Sequence, residues 1–100
     1  MTQGRDRVFL RHPDKDKQGV SIDEARYVAM RAAITAELEH SDGRNTFFGL
    51  RDKVARRLKG KFVGSVSWYY TMVELDLEAR GVLERVPGSH PQVVRLAGKA

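Results

Sequence analysis

The sequence predicts an α+β domain with a three-helix core and a small antiparallel sheet at its C-terminal end. Three observations predict it. Apolar residues recur at steps of three and four in three successive stretches, the mark of helices with one buried side. Gly81 follows the third stretch directly, where a helix can end in the left-handed conformation at little cost to glycine. Beyond it, VLERV and QVVRL flank PGSHP, two short strand-like runs around a proline- and glycine-containing bend.

At the N-terminal end, RVFLR (7–11) reads as a short strand, with Val8 and Leu10 on one side and Phe9 on the other. HPDKDKQG follows as a polar loop. Asp14 and Asp16 share that loop, but the other spaced ligands of a calcium loop are missing, so no metal is expected. Ser21 to Glu24 fits a capping box with Ser21 as N-cap, and Val20 with Ala25 fits the accompanying staple. The first helix then runs to about His40 on the stripe Tyr27, Met30, Ile34 and Leu38, with alanines allowing close packing.

Ser41 to Arg44 reads as a turn, and Thr46 or Asn45 as the cap of a second helix. Phe47, Leu50, Val54 and Leu58 mark its buried side. Gly49 in its first turn weakens it by roughly 0.5–1 kcal/mol relative to alanine. GKFVG (60–64) connects to the third helix and is expected to place Phe62 and Val63 in the core beneath the hairpin. It lacks the Walker order and preceding strand of a phosphate loop.

Ser65 is the expected cap of the third helix, whose main stripe is Val66, Tyr69, Tyr70, Val73 and Leu77. A second stripe, Trp68, Met72, Leu75 and Ala79, lies nearly opposite. Ser67, Thr71, Glu74 and Glu78 form the narrow polar strip between them, and Glu74, Asp76 and Glu78 read as a wet face. A helix apolar on two sides is buried on both or meets a partner on one. Helix, glycine stop and two-stranded hairpin make the C-terminal half of a winged helix-turn-helix, so the hairpin becomes the wing. The N-terminal strand could join it as a third strand. Residues 1–100 form one domain, with 1–6 and 97–100 expected to be flexible.

Composition excludes several classes. An apolar share of 41% with 31% charged residues describes an ordinary globule rather than a disordered chain. No apolar run is long enough to span a bilayer, MTQGRDR lacks a signal core, and a cytoplasmic location is expected. Without cysteine there is no disulfide, thiolate nucleophile or zinc-thiolate site. His12, His40 and His90 stand far apart, and no nucleophile–base–orienter set can be assembled. Neither catalysis nor a cofactor is expected.

The net charge of +5 is concentrated. Between Arg44 and Lys61, seven basic residues face one acid, Asp52, so that segment carries +6. Such a concentration favours a polyanion or an acidic protein surface, although a solvated helix face looks the same in sequence.

LDLEARGVLERV resembles the leucine–glutamate–x–x–glycine–leucine pattern that ends the third helix of MarR- and PadR-type winged-helix regulators. Tyr27-x-x-Met30, Trp68, LDLEARG and RVPGSHPQ together resemble a family of small bacterial winged-helix-like proteins, a domain of unknown function, over most of the chain from Val8 to Leu96. That resemblance implies the fold and no activity.

The leading expectation is a non-enzymatic winged-helix protein that binds nucleic acid, DNA foremost, and could regulate transcription. Arg44, Arg51, Lys53, Arg56, Arg57, Lys59 and Lys61 are its candidate phosphate contacts. Ser67, Trp68 and Thr71 are candidates for base edges, and the wing residues Arg85, His90 and Arg95 for the backbone. Acids on the third helix would repel phosphate and favour docking led by the second helix. The alternative is a protein partner or homodimer through the Trp68, Met72 and Leu75 face. That face is expected to pack under the first helix, since a small domain needs the core, which would remove the alternative.

Overall fold

The computed structural model describes residues 6–14, 16 and 19–98. In chain order its elements are β1 (Arg7–Phe9), β2 (Ser21–Asp23), α1 (Glu24–Glu39), β3 (Arg44–Thr46), α2 (Phe47–Leu58), α3 (Val66–Ala79), β4 (Leu83–Arg85) and β5 (Val93–Leu96). The three helices pack on one another, and the strands form two small antiparallel sheets. The class is α+β, with three helices among the described residues.

The sheets differ from expectation in membership. β1 does not join the C-terminal hairpin; it pairs with β2, Val8 opposite Ile22. The third strand beside the hairpin is β3, in the order β3-β5-β4; the expected turn is present at residues 41–43, and β3 takes its last residue, Arg44, together with Asn45 and Thr46. Within the hairpin, Leu83 faces Leu96 and Arg85 faces Val94, the pairing that places Leu83, Val94 and Leu96 in the core. The flexible-end expectation for residues 1–5, 99 and 100 lies outside the described residues. Asp6 and Ala97 are held by backbone bonds, Glu24 N–H to the Asp6 carbonyl at 3.0 Å and Ala97 N–H to Val82 at 2.9 Å.

Local rules explain most helix ends. Ser65 Oγ accepts from Trp68 N–H at 3.2 Å, and Thr46 Oγ1 accepts from Gly49 N–H at 3.0 Å. At the end of α3, Val82 N–H bonds the Leu77 carbonyl and Gly81 N–H bonds Glu78, with Gly81 at φ 79°. That is the Schellman arrangement. The start of α1 departs from expectation. Ser21 belongs to β2, and Asp23 is the cap, accepting from Arg26 N–H at 3.2 Å. Val20 and Ala25 are exposed and make no staple.

The core joins Leu10 and Ile22 to the helix stripes: Tyr27, Met30, Ile34 and Leu38 from α1, Leu50, Val54 and Leu58 from α2, and Tyr70, Val73 and Leu77 from α3. Two carboxylates lie inside it as well. Asp76 is completely buried and fully partnered: it accepts from Arg11 N–H at 2.7 Å, Tyr27 Oη at 2.7 Å and Arg80 Nε at 2.8 and 2.9 Å. It ties the segment after β1, α1 and the end of α3 together. Glu74 is equally buried. The expectation that Glu74 and Asp76 form a wet face is therefore wrong, because both side chains turn inward. Val63 is also corrected: it is 71% exposed, whereas Phe62 packs at the core edge against Tyr69. Among the described residues no helix is long and apolar enough to cross a membrane.

Candidate functional site

The outer side of α2 follows from its periodicity. Burying Leu50, Val54 and Leu58 turns Lys53, Arg56 and Arg57 to solvent, and Lys59 and Lys61 follow on the exposed chain past the helix end. Arg56 and Arg57 in the last turn also complement the helix dipole, a structural role that any cation there would fill. A shallow groove of about 490 Å³ runs between this side and α1, lined by Lys53, Arg56, Arg57, Lys61 and Glu37.

The cations are not equivalent. Arg57 Nε donates to Glu37 at 2.7 Å, so that charge is answered within the protein. Arg51 lies over the Phe48 ring at 4.9 Å, with Asp52 at 3.4 Å. Lys53, Arg56, Lys59 and Lys61 have no carboxylate partner among the described residues. The four cations and one carboxylate of the groove leave it at +3, held open to solvent.

The expected wing contacts are arranged differently. Arg85 points back onto α3, with Nε on Glu78 at 2.8 Å, Nη2 at 3.8 Å from Glu74, and its guanidinium 5.4 Å from the Phe47 ring centre. Arg95 Nε donates to Glu84, its neighbour across the sheet. Arg44 stands opposite Arg95 on the other side, exposed and with no carboxylate of its own among the described residues. His90 is exposed in the hairpin loop. Of the three hairpin candidates, His90 is thus unengaged while Arg85 and Arg95 are held in ion pairs; Arg44, from the expected phosphate contacts, is also without a carboxylate among the described residues.

At the start of α3, Ser67 and Trp68 are exposed and Thr71 is half-buried. Trp68 is 45% exposed, so the expectation that it packs under α1 fails, whereas Met72 packs against the core edge and Leu75 is half-buried. Its indole stands nearly perpendicular to Tyr69 at 4.9 Å, and Tyr69 in turn meets Phe62 at 5.2 Å. Arg26 lies 5.8 Å from the Tyr69 ring centre and donates to the Val63 carbonyl at 2.8 Å. Lys61 lines both the basic groove and a small apolar pocket formed with Asp23, Arg26, Ala29, Phe62 and Val63. Lys61 thus borders both the basic groove and the Phe62 pocket, and ring contacts lead from Phe62 through Tyr69 to Trp68.

Sequence reasoning missed Glu74. Both of its carboxylate oxygens are buried without a hydrogen-bond partner, and burial pushes its pKa up to about 9, with Glu78 beside it adding to the shift. A signal existed, because Glu74 stands four residues after Tyr70 and three before Leu77, on the buried stripe. Burial likewise raises the pKa of Tyr70, whose Oη donates to the Phe47 carbonyl at 2.7 Å. Above this cluster lies a pocket of about 530 Å³ lined by Thr46, Phe47, Phe48, Arg85, Pro91 and Gln92. Among the described residues no three histidines or acids gather as metal ligands.

The chain belongs to a family of unknown function, DUF6958, whose model matches residues 7–94. No curated protein and no solved structure matches it.

Proposed function

We propose that this chain is a non-enzymatic winged-helix protein that binds nucleic acid, DNA foremost, and that it serves in regulation of transcription. On this reading α3 is the recognition helix, β4 and β5 are the wing, and Lys53, Arg56, Lys59 and Lys61 contact phosphates. One observation carries it: those four cations stand on one side of α2 and beyond its end without carboxylate partners among the described residues. Desolvation and ion pairing inside the protein would have silenced such charges; left in water, they attract polyanions over a Debye length.

A second observation removes an objection. Glu74 and Asp76 are buried and Glu78 is paired with Arg85, so α3 does not present a row of bare carboxylates to a phosphate backbone. Its exposed start offers Ser67 and Trp68 instead. Binding to generic duplex DNA, followed by fluorescence anisotropy at increasing salt, tests the reading. Affinity falls steeply with salt, and Arg56→Glu weakens it at every salt concentration. Absence of binding to duplex and single strands alike at low salt, or an Arg56→Glu variant equal to wild type, refutes it.

The exposure of Trp68 also favours a second reading, association with a protein partner or a second copy through the Trp68, Met72 and Leu75 face. Light scattering at high concentration checks it. A dimer that Trp68→Ala converts to monomer supports association, and a monomer at all concentrations removes the homodimer.

A further inference from the structure

We infer that the preferred ligand is single-stranded nucleic acid, with phosphates along Lys53, Arg56 and Lys61 and an unpaired base stacked on Trp68. The inference rests on the nucleic-acid reading above and names its substrate class.

Duplex readers specify sequence with hydrogen-bonding side chains at base edges, because the faces of paired bases are hidden in the stack. Around the start of α3 such groups are few and small: Ser67 is exposed and Thr71 half-buried. The larger exposed side chains there are Val63, 71% exposed, and Trp68, 45% exposed. An apolar, partly aromatic platform beside a line of cations is the pairing that holds single strands: charge tracks the backbone while aromatic rings take the faces of unstacked bases. The platform is also rigid. Trp68 N–H is fixed by the Ser65 cap, and its indole is braced by Tyr69, itself set against Phe62 and Arg26. Lys61 lines both the basic groove and the apolar pocket of Phe62 and Val63, and the ring contacts from Phe62 through Tyr69 lead from that junction to Trp68. Asp23 also lines that pocket; its carboxylate is engaged as the cap of α1.

Trp68 is the chain's one tryptophan, so its emission reports on the platform directly. The test uses the intact chain and three labelled ligands: oligo-dT, oligo-rU and a mixed-sequence duplex of equal length. Anisotropy gives affinity and tryptophan emission gives stacking. The expected result is that at least one single strand binds about tenfold or more tightly than the duplex and quenches Trp68. The two single-strand arms decide whether the sugar is deoxyribose or ribose. Trp68→Ala then weakens single-strand binding by roughly 5- to 100-fold, the range of one base–aromatic stack, with an unchanged salt slope, and Trp68→Phe recovers most of it. Circular dichroism of both variants shows whether the fold is kept. Duplex binding as tight as single-strand binding, with Trp68 emission unchanged, overturns the inference and leaves the nucleic-acid reading standing. Failure of all three ligands to bind at low salt overturns both.

Discussion

Tyr27 Oη donates to the buried carboxylate of Asp76 at 2.7 Å, joining α1 to α3 across 49 residues of chain. Arg80 and the Arg11 N–H fill the remaining acceptor positions of that carboxylate. Burial and the bond to Asp76 raise the Tyr27 pKa, so the phenol stays a donor through the neutral range. A charge taken out of water here is stabilised only because each of its partners is present.

Asp76→Ala leaves Tyr27 Oη and Arg80 without their acceptor and is expected to cost about 3–5 kcal/mol of folding stability. Tyr27→Phe removes one of several bonds to the same carboxylate and costs about 1.5–3 kcal/mol. Urea unfolding followed by far-ultraviolet circular dichroism measures both. Equal losses, or a loss below about 1 kcal/mol for Asp76→Ala, would mean that the cluster does not hold α1 and α3 together.

Glu74 gives the protein a pH dependence. Its folded-state pKa, about 9, lies above the ordinary value of 4.5, so between those values the folded chain keeps a proton that the unfolded chain releases. The contribution is therefore fully present below pH 4.5 and is lost as pH rises towards 9. Glu74→Gln keeps the shape and removes the titration. It is expected to match wild type near pH 5 and to be more stable by about 1–3 kcal/mol near pH 8. Unfolding curves at the two pH values decide it; an equal difference at both would place the Glu74 carboxylate in a charged, satisfied state.

Gly49→Ala runs against helix propensity. Alanine favours a helix over glycine by about 0.5–1 kcal/mol. Here, however, the added Cβ would lie 2.5 Å from Thr46 Oγ1 and 2.9 Å from Asn45 Oδ1. The cap of α2 must give way, so the expected outcome is a net loss of about 1 kcal/mol. Thermal unfolding at one pH measures it, and a stabilised variant would show that the cap moves freely.

The parts legible in the sequence are those set by local rules. Ser65, Thr46 and Gly81 act at the helix ends as their chemistry predicts, and Tyr27, Met30, Leu50, Val54 and Val73 enter the core on helical spacing. The hairpin was legible as two strand-like runs around PGSHP, but its register, with Leu83 opposite Leu96, was not. What was hidden depends on partners distant in sequence. RNT at 44–46 carries no strand pattern and becomes β3 only because β5 offers it backbone bonds. SID at 21–23 pairs with β1, which takes Ser21 away from capping and hands that role to Asp23. The basic side of α2 was visible as charge, but the engagement of Arg57 by Glu37, 20 residues earlier, was not. Nor was the inward turn of Asp76, although Arg80 four residues on is a helical ion-pair spacing.

The difference between free and engaged cations makes a graded prediction. Arg56→Ala is expected to weaken nucleic-acid binding more than Arg57→Ala, because Arg57 shares its charge with Glu37. Anisotropy titrations at one low salt concentration compare them. Equal losses would show that the Arg57–Glu37 pair opens to the ligand.

The most direct measurement is the salt dependence of single-strand affinity for wild type and for Lys53→Ala/Arg56→Ala. Wild type should give a straight fall of log affinity with log salt. The double variant should bind more weakly, with a slope shallower by about 1.4, two phosphate contacts at roughly 0.7 each. A slope that the double substitution leaves unchanged, or no binding by wild type at low salt, would contradict the assignment of the α2 surface to a polyanion.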